Sequence, residues 1–219
     1  MRLVLLGPPG AGKGTQGQAL ERAFGVPHVA TGEIIRDHIA RGTEFGRKVE
    51  AQIAAGNFVS DADVLYWVRK RLAEPDAAGG YILDGFPRDT AQAEAFAEPL
   101  DAVVDLLVPD EALIDRLSGR LVCPQCETAY HVLSQPPCMP GVCDRDGTPL
   151  VRRPDDDPEA VRRRLQIYHQ FTEPLQVYYE RRGLLVPVDA LGEPKAVTAR
   201  ILSALSDLIS DRALAKCGF

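Results

Sequence analysis

Apolar positions along this chain fall into short dense runs separated by longer stretches with helical spacing. Met1, Leu3, Val4, Leu5 and Leu6 make the first run, dense enough for a strand buried on both faces of a parallel sheet. Similar runs at 27–30, 81–83, 102–107 and 184–188 predict four more strands. Between them, apolar residues recur with helical period over 15–24, 31–40, 42–55, 62–73, 90–96, 110–118, 158–182 and 193–209. Thr31 is placed to cap the second of these helices, and Ser60 or Asp61 the fourth. Gly56 and Gly119 are C-terminal stops. Strands separated by helices imply an α/β fold, a five-stranded parallel sheet covered on both faces.

The junction of the first strand and first helix carries the clearest chemistry. Gly7, Gly10, Gly12 and Gly14 surround Lys13, giving Gly-x4-Gly-Lys from Gly7 to Lys13. Glycines let backbone N–H groups turn inward, the helix start adds partial positive charge, and Lys13 supplies a full one. That is a phosphate-binding loop, a P-loop. Asp84 ends the apolar run Tyr81-Ile82-Leu83, where a carboxylate can anchor the water shell of a magnesium ion, although capping a turn with Gly85 would also explain it.

Composition narrows the class. The chain has 219 residues, enough for one core with inserted subdomains, and a net charge of −6, which argues against a general nucleic-acid binder. No apolar run approaches a membrane span, and the first residues enter a strand without the regions of a signal peptide, so a cytoplasmic location is expected. In that compartment, five cysteines point to metal or free thiol before disulfide.

Between Gly119 and Asp155 helical periodicity stops, and Cys, Pro and Gly crowd in. Cys123-Pro124-Gln125-Cys126 and Cys143-Asp144-Arg145-Asp146 are two knuckles of equal internal spacing. Such a pair can bring four ligands into a tetrahedron on a unit too short to bury its own core, and three thiolates with a carboxylate suit zinc. Asp146 is the preferred fourth ligand, with Cys138 and His131 as alternatives. A closed four-ligand site has no open position, so the metal would be structural. Cys217 is expected to be a free thiol.

Arginines gather around this insert: Arg116 and Arg120 before it, Arg152 and Arg153 after it, then Arg162, Arg163 and Arg164. Beside a P-loop they suit transfer of a phosphoryl group between polyphosphates, where Lys, Arg and Mg²⁺ do most of the stabilising. Asp155, Asp156 and Asp157 could hold Arg152 and Arg153 when phosphate is absent.

GPPGAGKGT at the start, ATGEIIR from Ala30, LDGFPRDTAQA from Leu83, Gly119-Arg120 and RRPDDDPEAVRRRLQIYHQ from Arg152 together resemble adenylate kinases over nearly the whole chain. Gly14 stands where many P-loops carry Ser or Thr, with the hydroxyl displaced to Thr15, as nucleoside monophosphate kinases write the motif. The CPQC and CDRD knuckles resemble the family's zinc-bearing long-lid form, found in many bacteria. The resemblance implies three parts: a core of 1–29, 60–118 and 157–219, a monophosphate-binding arm of 30–59, and a lid of 119–156. It implies that Gly10, Ala11, Gly12, Lys13, Gly14 and Thr15 cradle the ATP phosphates, with Arg120 reaching the same nucleotide. Ala129 and Tyr130 would cover the ATP base, with a backbone contact near Glu193. AMP would meet Thr31, Arg36, Asn57, Phe58, Val59, Gly85, Phe86, Pro87, Arg88 and Gln92. Arg153 and Arg164 would clamp phosphates on closure. The family default is a monomer.

The resemblance thus implies reversible transfer between ATP and AMP giving two ADP, with Mg²⁺, and with Lys13, Asp84, Arg88, Arg120, Arg153 and Arg164 as the catalytic set. The Gln92 amide offers a paired donor and acceptor that can read adenine's amino group and ring nitrogen together. Two alternatives stand beside this: a kinase for UMP or CMP, and a zinc-ribbon nucleic-acid module on a P-loop domain. The second expects a basic insert with stacking aromatics, whereas 123–146 offers only Tyr130 and Arg145.

Overall fold

The computed structural model describes residues 1–54, 59–126, 128–152 and 156–217. In chain order, β1 (Arg2–Leu6) leads into α1 (Lys13–Phe24), and β2 (His28–Ala30) into α2 (Thr31–Ala40), α3 (Glu44–Ala54) and α4 (Asp61–Leu72). Next come β3 (Tyr81–Asp84), α5 (Thr90–Phe96), β4 (Ala102–Leu107) and α6 (Asp110–Ser118). The short strands β5 (Arg120–Val122) and β6 (Ala129–His131) follow, then α7 (Pro158–Ile167), α8 (Pro174–Glu180), β7 (Leu185–Asp189) and α9 (Pro194–Cys217).

The sheet is parallel and five-stranded in the order β2-β3-β1-β4-β7, with β1 at its centre. Successive side chains of a strand point to opposite faces, and β1 divides its residues accordingly. Leu3 and Leu5 pack with Leu20 of α1, Leu113 and Leu117 of α6, Leu165 of α7 and Ile201 of α9. Val4 and Leu6 pack with Val68 of α4, Phe96 of α5, and Leu175 and Tyr179 of α8. Each fully buried leucine contributes about 1.5–3 kcal/mol relative to exposure, so the central run holds both helical layers at once. The expected α/β architecture is the observed one.

Register then fixes what meets at the carboxyl edge of the sheet. Leu5 of β1 is opposite Asp84 of β3, and Leu6 opposite Asp105 of β4. The glycine loop therefore leaves the sheet between two carboxylates, at the edge where open α/β sheets bind ligands.

Several elements differ from expectation. The helix expected over 158–182 is interrupted by a π-helical stretch, Tyr168–Thr172, before α8. Pro174 lacks the N–H that a continuous α-helix would need there, and the wider turn closes through the Glu173 N–H on the Tyr168 carbonyl at 2.9 Å. The last helix runs past 209 to Cys217. The loop before β3 contains a 3-10 turn, Pro75–Ala77. Thr31 is not the cap of α2: Ala30 holds that position, and the Thr31 hydroxyl donates to the carbonyls of Gly85 (3.0 Å) and Asp84 (3.3 Å). Ser60 does cap α4, accepting from the Asp63 N–H at 3.2 Å. The stop expected at Gly56 lies outside the described residues.

The cysteine insert is a small antiparallel unit. β5 and β6 pair from Arg120 opposite His131 to Val122 opposite Ala129, and single bridges join Val122 to Val151 and Val142 to Pro149. Its buried apolar cluster is Cys123, Tyr130 and Cys143. So small an apolar cluster cannot offset the entropy of ordering the segment.

Candidate active site

The loop after β1 is shaped by close approach. At Gly7, φ is +134° and a Cβ would lie 2.9 Å from the Leu106 carbonyl oxygen, so a side chain would push the loop off β4. Gly12, at φ +98°, opens α1. This path turns Lys13 back over its own loop, and its Nζ donates to the carbonyls of Gly7 (2.7 Å) and Pro8 (2.9 Å). Burial lowers the Lys13 pKa to about 8; Asp84 opposes the shift, while Arg164, Arg88 and Arg120 add to it. A lysine among three arginines is poised for polyanion. Gly10, Ala11, Gly12, Gly14 and Thr15 lie around it on the same turn.

Asp84 ends β3 as expected. Its Oδ2 lies 3.6 Å from Nε2 of His28, a half-buried residue of β2 whose side chain is 4% exposed and which carries no sequence signature. Burial opposes charge on His28, but Asp84, Glu33 and Glu21 outweigh it and raise the pKa. The ring fits only because Gly17 of α1 has no side chain: a Cβ there would come within 2.3 Å of it.

Arg88, Arg120 and Arg164 converge electrostatically on Lys13, whereas Arg152, Arg162 and Arg163 are exposed. Arg153 lies outside the described residues, as do Asn57 and Phe58. Among the described residues, neither Asp156 nor Asp157 bonds to Arg152, and Asp155 lies outside them. Instead Asp156, 0% exposed, accepts from Arg120 Nε at 2.8 Å and from Arg120 Nη2, and its Oδ1 lies 3.5 Å from Arg164 Nη1. Asp157 caps α7, accepting from the Glu159 N–H at 3.0 Å. One buried carboxylate thus gathers the two arginines that flank the insert. The expected pairing of Asp155 with Arg153 lies outside the described residues, and Asp156 reaches Arg120 across the insert, a contact that linear adjacency does not indicate.

On the far side of Asp84, Thr31, Gly85, Arg88 and Gln92 come together. Gly85 is needed there, at φ +78°, because a Cβ would fall 2.7 Å from the Thr31 hydroxyl. Arg88 Nε donates to the Gly85 carbonyl at 2.9 Å. Its surroundings desolvate the guanidinium and Arg164 repels it, which lowers its pKa. Gln92 is committed within the protein: Nε2 donates to Asp61 Oδ1 at 2.5 Å, and Oε1 accepts from the Arg88 N–H at 2.8 Å. Each end of the amide thus makes one bond within the protein, which orients it and leaves a second N–H and a second lone pair for a base. Arg36 is exposed on α2, and Val59 is half-buried just before α4. Phe86 and Pro87 are buried; Phe86 meets Phe96 edge-on at 5.4 Å, so its side chain is core. A crevice beside these residues is lined by Thr31, Ile35, Phe45, Val64 and Trp67. Trp67 and Phe45 are residues that sequence reasoning missed; the aromatic stack with His38 that joins them spans three helices and has no local signature.

Ala129 and Tyr130, the pair expected over the ATP base, stand in different settings. Ala129 is exposed, but the Tyr130 ring is buried against the cysteines, with its hydroxyl accepting from the Asp144 N–H at 2.8 Å. The stretch 123–146 has no other aromatic residue to fill its centre. Glu193 is exposed just before α9, close to Ala190, whose carbonyl accepts from Arg116 Nη2 at 2.9 Å.

The knuckles bring Cys123, Cys126, Cys143 and Asp146 together, with their ligand atoms within 4.8 Å of one another. The N–H groups of Gln125 and Cys126 point at Cys123 Sγ, and that of Arg145 at Cys143 Sγ, each at 3.4 Å. The Thr148 N–H donates to Asp146 Oδ1 at 2.9 Å. His131 and Cys138 do not join them. His131 accepts from the Leu133 and Ser134 N–H groups, and Cys138 is exposed.

Comparison with known proteins agrees with this geometry. A family profile described as adenylate kinase matches residues 5–184. An adenylate kinase of Anaeromyxobacter sp. (strain K) is 47% identical over 212 residues, covering 92% of this chain and 99% of that protein. One of Moorella thermoacetica is 48% identical over 212 residues, 94% of this chain and 98% of that protein. One of Streptomyces griseus is 45% identical over 213 residues, with 94% and 97% covered. Likeness of that extent means that the chain belongs to the adenylate kinase family.

Proposed function

We propose that this protein catalyses the reversible reaction of ATP with AMP to give two ADP. The observation that carries the reading is the convergence of Arg88, Arg120 and Arg164 on Lys13, at the carboxyl edge of the sheet beside Asp84. An ionised AMP phosphate oxygen attacks the γ-phosphorus in line, and the bond from that phosphorus to the β,γ-bridging oxygen breaks. ADP leaves carrying the electron pair. No general base is needed, because the attacking oxygen bears no proton. Lys13 and the loop amides of 10–15 hold the ATP phosphates, and Arg120 and Arg164, with Arg153, offset the charge that two polyphosphates bring together. Thr31, Arg36, Arg88 and Gln92 hold AMP, with residues 57–59 and 85–87 lining its side. Ala129, Tyr130 and the backbone near Glu193 face the ATP base.

Asp84 suits a magnesium shell, because its carboxylate sits at a strand end facing the phosphate lysine. Mg²⁺ arriving with ATP supplies charge neutralisation at the phosphates, and Asp84 would hold its waters. The four knuckle ligands suit zinc: three thiols and one carboxylate, with backbone N–H groups aimed at the sulfurs and the carboxylate, form the donor set and supporting shell of a closed structural site. Residues 30–59 act as an AMP arm and 119–156 as a lid over one core, closing to exclude water. We further read the protein as a cytoplasmic monomer. Among the described residues no helix is long and apolar enough to cross a membrane.

The test is a coupled assay for ADP with MgATP and each of AMP, UMP and CMP. Formation of ADP that depends on AMP is expected. Preference for UMP or CMP, or equal ATP consumption without an acceptor, would contradict the proposal.

A further inference from the structure

Gln92 lies in the first turn of α5 and is 7% exposed. Its backbone N–H donates to Oδ1 of the capping residue Asp89 at 2.8 Å, which fixes where the side chain starts. At the other end of that side chain, two different elements meet the amide. Oε1 accepts from the Arg88 N–H in the loop after β3, and Nε2 donates to the carboxylate of Asp61, the first residue of α4. Ser60, not Asp61, caps that helix, and the exposed Asp61 instead reaches a side chain 31 positions along the sequence. One contact is only a donor and the other only an acceptor. An amide turned end for end would set Nε2 against the Arg88 N–H and Oε1 against the Asp61 carboxylate, donor facing donor and acceptor facing acceptor. The protein therefore favours one orientation of Gln92.

We propose that Asp61 is a positioning residue for base recognition: by holding the Gln92 amide in one orientation, it makes the acceptor site select 6-aminopurine monophosphates over 6-oxopurine ones. The inference rests on the reading that Gln92 faces the base of AMP. Adenine presents a donor at N6 and an acceptor at N1, whereas hypoxanthine and guanine present an acceptor at O6 and a donor at N1. The two patterns are reversed. With one N–H given to Asp61 and one lone pair to the Arg88 N–H, the oriented amide has its second lone pair for the N6 amino group and its second N–H for N1. A 6-oxopurine needs the same amide turned over. Turning it breaks both bonds within the protein and leaves like groups facing one another, a penalty that adenine does not incur. Of these two contacts, the Arg88 N–H is main chain and would be there with any residue but proline. Asp61 is the contact that depends on side-chain identity, so selectivity resides in a residue that need not touch the nucleotide.

The test compares AMP and IMP as acceptors of phosphoryl from MgATP, in the full-length wild type and in Asp61→Asn, with the ratio of their kcat/KM values as the readout. The introduced amide can donate as well as accept, so Gln92 is free to turn on that side. The AMP-to-IMP ratio is expected to fall about tenfold, through a higher KM for AMP and an IMP value that holds or improves, while the KM for MgATP stays where it was. Asp61→Ala removes the acceptor without supplying a donor; it should lower the ratio by about threefold, and it decides the matter if Asp61→Asn does not fold. In a Gln92→Leu background neither substitution should move the ratio, because the group through which Asp61 acts is gone. A purely structural Asp61 would lower both activities by one factor. An unmoved ratio in a folded variant, or the same fall in the Gln92→Leu background, would overturn the proposal. Wild-type protein that does not phosphorylate AMP would defeat the kinase reading and this inference with it, whereas AMP turnover with an unmoved ratio defeats only the role of Asp61.

Discussion

Lys13 shows how much one position depends on its surroundings. Its ammonium bonds to two carbonyls of its own loop, Gly7 and Pro8, and phosphate oxygens would replace them. Lys13→Ala should fold with the same thermal midpoint within a few degrees, yet lower kcat by about a hundredfold to a thousandfold, as stopped-time ADP assays would show. His28 gives a pH-dependent counterpart. Its folded pKa is raised, so the stability contributed by the pairing with Asp84 is full below the unfolded histidine value of about 6.5 and is lost as pH rises through the folded value. His28→Gln should therefore reduce Tm more at pH 6 than at pH 9 in differential scanning calorimetry; an equal loss at both would contradict the pairing. Asp105 carries the opposite sign. A carboxyl raised by burial to about 6 weakens the fold as pH climbs from about 4 to 6, so Asp105→Asn should be more stable than wild type at pH 7.5 and lose that advantage below pH 4. Of these residues, Lys13 and Asp84 were legible in the sequence because glycine spacing and a strand end mark them. His28 and Asp105 were not singled out, although a lone acid in AVVDLL was a visible sign. Their surroundings depend on strand order, which a linear pattern does not specify.

At the scale of elements, patterning was legible wherever one period persisted. All five core strands and the helices on both sheet faces stand close to where alternation and helical spacing put them. The long helix over 158–182 was misread at its centre, because apolar spacing continues through the π-helical stretch while the backbone skips a bond ahead of Pro174. The insert was legible for a different reason: its cysteine spacing survives without any periodicity. Its side-chain packing was not, since only the three-dimensional unit shows Tyr130 filling the centre. Two predictions belong here. Cys123→Ser, or removal of the metal by a chelator, should lower zinc content and melt 119–156 at lower temperature, while MgATP still protects the loop at 7–15 from proteolysis. Collapse of kcat with zinc lost but the lid still folded would contradict a structural metal. Asp156→Asn leaves Arg120 and Arg164 without their shared buried anion, so the fold should lose on the order of 3 kcal/mol, measurable by urea denaturation, and the deficit should narrow when MgATP supplies anionic oxygens.

For the whole molecule, internal contacts occupy two positions proposed for the substrates. Lys13 holds carbonyls and Arg120 holds Asp156. Each is a polar group satisfied within the protein that nucleotide must win over, which ties substrate binding to movement of the elements carrying those partners. On the proposed reading, discrimination against water would follow if the arginines reached the reacting phosphates only after nucleotide had displaced these contacts. The most direct measurement of this account is calorimetric titration with a bisubstrate mimic, two adenosines joined through five phosphates. One molecule should bind per chain, with micromolar affinity or tighter (about 1 μM), and should exclude ATP and AMP together. Failure to bind, or exclusion of only one of the two nucleotides, would contradict it.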